Sequence, residues 1–218
     1  MQNLSFRLGS IPVRLHLSFF LTAALMNMGL LDRDIVRLLA WLVIVLASVL
    51  AHELGHATAG LLFGLQPAIE LHGMGGTTSW SASHRTSHVQ RIIISLAGPC
   101  TGLLLGGLVF ALGSRFSADF ALGQWIVGSL VFVNVIWGAL NLLPMLPLDG
   151  GNVLHSVLDI VTHGRGARPA HIVSLVVSVA SLGAAFWMGS LWCGLLAAFF
   201  ASSNWQWLSQ HRGTASGG

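Results

Sequence analysis

The sequence predicts an all-α polytopic membrane protein with six transmembrane helices and a short membrane-associated β-hairpin or loop between the second and third helices. Of its 218 residues, 54% are hydrophobic and only 8% are charged, whereas about a quarter of the residues of a soluble domain are charged. The apolar runs are long and lack the alternation typical of barrel strands. Because only helices and closed barrels satisfy the backbone in lipid, helices are the expected spanning elements.

Six apolar runs are long enough to cross a bilayer at about 1.5 Å per residue. They follow a short polar lead at residues 1–14 and lie at about residues 15–31, 35–64, 89–113, 125–143, 171–188 and 191–208. A shorter amphipathic piece is expected at residues 153–161. We therefore expect one domain over residues 1–210 and a flexible tail over residues 211–218.

The segment between the second and third spans, residues 66–88, is rich in Gly, Thr, Ser and His and holds no run of spanning length. Gly75 and Gly76 stand between short alternating segments, which predicts a hairpin or turn. The three histidines of this segment are either extra metal ligands or polar residues of the membrane interface, and we favour the second alternative. They are His72, His84 and His88.

The second predicted span carries His52-Glu53-Leu54-Gly55-His56. Residues four apart lie on one face of a helix, so both imidazoles can bind one zinc ion at about 2 Å. Glu53 is then placed to act as general base on a metal-bound water, as in the H-E-x-x-H pattern of zinc peptidases. A surface helix with a salt-bridge pair is the alternative, and the apolar surroundings argue against it.

A catalytic zinc usually has three protein ligands and one water, so a third ligand is needed. The best candidate is Asp149, an acid among apolar residues that follows the helix-breaking Pro144 and Pro147 and precedes two glycines. The alternative is that Asp149 only caps the following helix. A metal ion would offset the cost of a carboxylate in hydrocarbon. Cys100 and Cys193 lie in separate apolar runs and predict neither a disulfide nor a zinc site.

Four segments resemble the site-2 protease family of intramembrane zinc metalloproteases. They are the first-span lead Gly9–His16, the His52–His56 motif, Ser95–Pro99, and Asn141–Gly151 with its LLP and PLDGG parts. The resemblance covers roughly residues 5–160. Its motifs occur in the right order, which makes the resemblance specific.

The resemblance implies one Zn2+ per chain, bound by His52, His56 and Asp149, and a water activated by Glu53. It also implies that Asn141 helps to hold the substrate or the oxyanion, and that the predicted hairpin is offered to an unfolding substrate. The expected activity is hydrolysis of peptide bonds within or near transmembrane segments of membrane-anchored substrate proteins. No stretch suits a PDZ or CBS domain, so a minimal form of the family is expected.

The sequence leaves two other functions as alternatives. A zinc transporter or sensor needs further ligands along its path, and the spans offer few polar candidates, namely Asn134, Asn141, His155 and His171. A catalytically dead scaffold that binds partner helices has no need to retain an intact H-E-x-x-H together with Asp149.

Arginines predict the orientation, since they concentrate in cytosolic loops. With six spans, seven of the ten arginines share a side with the N-terminus and three lie opposite. We expect an integral protein of a prokaryotic inner membrane with its N-terminus and active-site opening in the cytosol. No cleavable signal peptide is recognised. The expected partners are the bilayer and a protein substrate, not nucleic acid; the sequence carries no signal for oligomeric state.

Overall fold

The computed structural model describes residues 4–30, 34–81, 86–117 and 121–211. This part of the chain is mostly helical and includes one small β-sheet. It forms two compact units. The first comprises the described part of residues 1–85 together with Ala97–Leu140, and the second comprises residues 86–96 and the described residues from Asn141 onward.

The first unit contains a four-stranded sheet with the strand order β1-β2-β3-β4. The central pair β2 and β3 is parallel and the outer pairs are antiparallel. The strands are β1 (Leu4–Leu8), β2 (Ile11–Leu15), β3 (Pro67–His72) and β4 (Gly75–Trp80). The predicted hairpin is confirmed as β3–β4, and Gly75 after its turn adopts a φ of +120°, a conformation that favours glycine.

The all-α expectation is wrong for the N-terminal lead, because part of residues 1–14 forms β1 and β2. Alternate residues of β2 are buried, namely Ile11, Val13 and Leu15. This strand pairs with β3, more than 50 residues away in the sequence. A five-residue alternation is a weak signal alone, and its pairing partner is not local.

The predicted span at residues 15–31 is also wrong as one continuous helix. Leu15 ends β2, and helix α1 (Leu17–Leu25) is followed by a short 3-10 helix at Met28–Leu30. Nine residues of α-helix reach only about 14 Å, against about 30 Å of hydrocarbon. Its buried residues Phe19 and Ala23 belong to the core formed by the sheet and the next helix, so one face of this helix packs on protein.

Helix α2 (Ile35–Leu62) corresponds to the predicted span at 35–64. Its first turn is capped by Asp34, whose Oδ1 accepts the N–H of Arg37 at 3.0 Å. Apolar residues of α2 share one core with the sheet and α1, and the fully buried Val13, Ile69 and Leu71 belong to this core. The rigid sheet thus supports the helix that carries the H-E-x-x-H motif.

Helices α3 (His88–Ser117) and α4 (Ala121–Asn141) correspond to the predicted spans at 89–113 and 125–143. Pro99 lies inside α3, and the helix continues through it. Gly55 of α2 lies against Thr101 and the carbonyl of Ala97, where a Cβ would collide. Small residues therefore allow α2 and α3 to approach closely.

The second unit contains α5 (Asp149–Val161), α6 (Ala167–Trp187) and α7 (Leu191–Gln210). The predicted helices at 171–188 and 191–208 are confirmed as α6 and α7. The amphipathic helix expected at 153–161 begins earlier, at Asp149. Within this unit α6 and α7 pack side by side and bury Ser174, Ser178 and Asn204.

Four helices of the described residues are long and apolar enough to cross a membrane: Ile35–Leu62, His88–Gly113, Ala121–Asn141 and Ala167–Trp187. Helix α7 has 20 residues, but polar residues in its second half lower its hydropathy. Six spans are therefore not confirmed. Two predicted features lie outside the described residues, namely His84 and the tail residues 212–218. Arg33, Arg85 and Arg212 of the orientation count also lie outside them.

Candidate metal centre

Helix α2 places His52, Glu53 and His56 in the interior of the first unit, with 6%, 5% and 7% of their surface exposed. The Nε2 atoms of the two histidines lie 3.1 Å apart. Two ligands of one tetrahedral zinc, each at about 2.0–2.1 Å, are separated by about 3.3 Å. The imidazole pair predicted from the four-residue spacing therefore has the geometry that zinc requires.

Gly98 of α3 provides the space beside these two imidazoles. A Cβ at this position would collide with Nε2 of His56 and lie 2.7 Å from Nε2 of His52. The sequence indicated Gly98 only as part of the Ser95–Pro99 motif and of a close-packing glycine series. The structure shows that it leaves room at the ring nitrogens.

Asp149 is the first residue of α5, and the N-cap position is occupied by Leu148. Asp149 thus belongs to the first turn of this helix, and its role as a metal ligand rather than a cap stays a prediction. The two glycines that follow are buried, and each lies where a Cβ would collide with the backbone of residues 142–146. The double glycine thus brings the first turn of α5 directly onto the chain that precedes it.

One ligand atom from each of His52, His56 and Asp149 lies within 4.8 Å of the other two. Two imidazole nitrogens and one carboxylate oxygen are a donor set that catalytic zinc sites use, with the fourth position open for water or substrate. The donor set and its burial fit Zn2+. Within the described residues no other group of three or more His, Cys, Asp or Glu is close enough to hold a metal.

Glu53 contacts the edge strand β4. Its Oε2 accepts a hydrogen bond of 2.6 Å from the hydroxyl of Thr78, which also lies 3.2 Å from the Glu53 carbonyl oxygen. A Cβ on Gly76 would lie 2.5 Å from the Glu53 Cγ. The sequence predicted the hairpin but gave no indication that Thr78 holds the candidate base.

A second polar pair lies one turn before His52. Ser48 of α2 accepts a hydrogen bond of 2.9 Å from Nδ2 of Asn134, a buried residue of α4. Both residues and His52 line one small cavity in the first unit. Asn134, a polar candidate for a transport path, thus belongs to a bonded pair between helices.

The remaining site candidates lie elsewhere or stay untested. Asn141 ends α4 and is half-buried; its role at an oxyanion stays a prediction. His72 has Nδ1 within 3.2 Å of the Met74 N–H and Nε2 3.1 Å from the Thr77 hydroxyl. His88 contacts Arg91 and Asp159. Neither histidine belongs to the metal-type cluster found in the described residues.

The chain is similar to several known proteins. The sequence profile of peptidase family M50 matches residues 117–185. One relative is a provisionally named zinc metalloprotease of Synechocystis sp. It is 31% identical to this chain in an alignment that covers 90% of this chain and 58% of the relative. A zinc metalloprotease of Methanocaldococcus jannaschii is 26% identical over 71% of this chain and 44% of its own length.

A further relative and a solved structure extend the comparison. The provisionally named zinc metalloprotease Rip3 of Mycobacterium tuberculosis is 36% identical over 72% of this chain and 42% of its length. The site-2 protease from Methanocaldococcus jannaschii has the same fold, with a TM-score of 0.69 at 20% identity over 94% of each chain. This chain spans about half the length of the curated relatives it matches. The chain is thus similar in sequence to peptidase family M50 and to named zinc metalloproteases, and it has the fold of a site-2 protease.

Proposed function

We propose that this chain is a zinc metalloprotease that hydrolyses peptide bonds within or near the transmembrane segments of membrane-anchored substrate proteins. The observation that carries the proposal is the grouping of His52, His56 and Asp149 within 4.8 Å, with Glu53 next to the first ligand on the same helix. In this assignment the three residues bind one Zn2+ per chain. Two metal ligands alone would leave the site short of the usual three.

The proposed mechanism is metal-assisted hydrolysis. When bound, zinc makes a water molecule more acidic and polarises the scissile carbonyl. Glu53 accepts the proton of the attacking water and passes it to the leaving amine. Thr78 keeps the Glu53 carboxylate in one orientation through its 2.6 Å hydrogen bond. Asn141 is assigned, as the family resemblance implies, as a donor to the developing oxyanion.

The proposed substrate-binding element is the edge strand β4. An α-helical substrate shields its peptide bonds by its own hydrogen bonds, so a stretch of it must unwind before cleavage. Within the described part of the chain, β4 pairs with a strand on one side only, and that strand is β3. An unwound peptide that pairs with the other side by β-augmentation would run next to Glu53, because β4 contacts that residue through Gly76 and Thr78.

We further propose that the protein is integral to a prokaryotic inner membrane, with its N-terminus and active-site opening in the cytosol. Four helices of suitable length and apolarity support membrane insertion, and the arginine bias supports the orientation. A topology with six crossings requires the broken segment 17–30 and α7 to cross as well. Residues 17–30 would span only about 21 Å as a helix, so the bilayer would have to be thin at that point.

The test is the variant Glu53→Gln in the purified chain, reconstituted into vesicles with a single-span substrate protein. Removal of a general base costs about 10²–10⁴-fold in rate, so cleavage should fall by that factor while zinc content is unchanged. The matched control is Glu70→Gln, which changes the only other glutamate; Glu70 pairs with Arg14 at the surface. Wild-type cleavage by Glu53→Gln would refute the proposal, and zinc flux that persists in this variant would favour a transporter.

A further inference from the structure

The non-helical segment Met145–Leu148 leads the chain into Asp149. Every backbone N–H and C=O of this segment has a partner. Most of these bonds are local: Met145 N–H to the Leu143 oxygen (2.7 Å), Leu148 N–H to the Met145 oxygen (2.8 Å), Asn152 N–H to the Leu148 oxygen (3.0 Å) and the Asn152 side chain to the Pro147 oxygen (3.2 Å). Leu146 is the exception, because both of its backbone groups bond to distant side chains.

Helices α6 and α7 supply these two partners. The N–H of Leu146 donates to Oγ of Ser174 at 2.9 Å, and its carbonyl accepts from Nδ2 of Asn204 at 2.9 Å. Ser174 is fully buried and Asn204 is 1% exposed. An irregular backbone at membrane depth must be satisfied by protein or water, and here two buried side chains do so.

The two side chains are themselves fixed by further hydrogen bonds. Ser174 donates to the Ala170 oxygen at 2.7 Å, which leaves an oxygen lone pair for Leu146. Asn204 makes a second Nδ2 bond of 2.8 Å to the Phe200 oxygen, and its Oδ1 lies 2.8 Å from Nδ1 of His171. The amide is therefore held with its NH2 group towards Leu146. A network that is satisfied in this way rigidifies its surroundings.

The position of Leu146 is transmitted to Asp149 by direct packing. Gly150 lies against the carbonyls of Leu142 and Leu143, and Gly151 lies against Met145 and the backbone nitrogen of Leu146. No side chain separates the first turn of α5 from this backbone. A displacement of Leu146 would therefore move the turn that begins with Asp149.

We propose that Ser174 and Asn204 are positioning residues that hold Leu146 and thereby direct the Asp149 carboxylate to the metal. The inference rests on the proposed role of Asp149 as a zinc ligand. Neither residue touches the metal or the substrate in this assignment. Their contribution is to the affinity and geometry of metal binding, because ligands must be held to within a fraction of an ångström.

Helix α6 offers a matched pair of serines for the test. Ser174 and Ser178 are both fully buried and both donate 2.7 Å bonds to the carbonyl four residues earlier. Ser174 additionally accepts the Leu146 N–H. The variants Ser174→Ala, Ser178→Ala, Asn204→Leu and Asp149→Ala are prepared as full chains in detergent. Zn2+ affinity is measured by chelator competition, and Co2+ binding is measured by its visible ligand-field absorption. The melting temperature of each variant is measured with and without metal.

We expect Ser174→Ala to weaken Zn2+ binding by about tenfold, the lower end of the range for residues that support metal ligands, and to shift its Co2+ spectrum towards that of Asp149→Ala. Ser178→Ala should keep wild-type affinity and spectrum, although both variants lower the melting temperature of the metal-free protein. Asn204→Leu should show the same loss of Zn2+ affinity and the same spectral shift as Ser174→Ala. If Asn204→Leu does not fold, the comparison of Ser174→Ala with Ser178→Ala still tests the inference. Equal metal affinities for Ser174→Ala and Ser178→Ala, with zinc lost only in Asp149→Ala, would overturn this inference alone. Unchanged zinc binding by Asp149→Ala would overturn the proposed function as well.

Discussion

Gly98 shows how a single missing side chain contributes to the candidate metal site. The backbone of α3 at this point occupies the position next to both ring nitrogens where any Cβ would collide. The same helix carries Gly102 one turn later, where a Cβ would be 3.4 Å from the carbonyl of Asn134, an ordinary contact distance. The two glycines therefore have different functions although both belong to one close-packing series.

We predict that Gly98→Ala lowers zinc affinity by about 100-fold, a loss at the upper end for changes that disturb metal ligands. The added methyl group would displace the imidazoles. Gly102→Ala should keep wild-type zinc affinity, and the better helix propensity of alanine, worth up to about 1 kcal/mol, should preserve stability. Chelator competition on both variants checks this. Equal zinc affinities for the two variants would contradict the role given to Gly98.

At this scale the sequence predicted which candidate ligands lie near one another, but it did not predict the contacts that support them. His52, Glu53 and His56 are close in sequence, and helical spacing alone predicts their shared face. Asp149 was predicted from a proline break and a double glycine, with help from the family resemblance. Thr78, Ser174 and Asn204 were missed, because a threonine, a serine or an asparagine carries no local signal for a partner 25 or more residues away.

Strand β4 connects the sheet to the candidate base. It is an edge strand, and Thr78 donates to the Glu53 carboxylate from it. A hydrogen bond to a charged group contributes about 1.5–3 kcal/mol. The strand that we assign to the substrate thus also holds the carboxylate of the candidate base Glu53.

For this strand we predict that Thr78→Val lowers kcat by about tenfold or more, as loss of such a bond implies, without a change in zinc content. Valine keeps the shape of threonine and removes only the hydroxyl. Thr101→Val is the control, since the Thr101 hydroxyl bonds to the Ala97 carbonyl of its own helix. Steady-state cleavage of a reconstituted substrate gives both values, and a wild-type kcat for Thr78→Val would show that the contact is not used in catalysis.

Elements with long periodic patterns were predicted best. The apolar runs of α2, α3, α4, α6 and α7 gave helices close to their expected bounds. Strands β1 and β2 were missed because each has five residues and their place in the sheet depends on β3. The same dependence explains α1, whose apolar residues pack on the sheet and on α2.

For the whole molecule, the composition indicates a membrane protein. The distribution of apolar and polar side chains over the structure is consistent with this indication. Large apolar side chains remain exposed on the candidate spanning helices, among them Leu104, Phe110 and Val176, as lipid-facing surfaces require. Polar groups are turned inward, such as Asn134 and Asn204, where each has hydrogen-bond partners. The number of crossings could not be read from run length alone, since one apolar run became the short helix α1.

The central claim is that one metal ion is bound jointly by α2 and by the first residue of α5. The most direct measurement is the zinc content and affinity of the purified wild-type chain, of Asp149→Ala and of Asp159→Asn. Asp159 is the other acid of α5, and it pairs with Arg91 and His155. We expect one zinc per chain for the wild type and for Asp159→Asn, and loss of tight zinc binding for Asp149→Ala. Full zinc occupancy with unchanged affinity in Asp149→Ala would contradict the account.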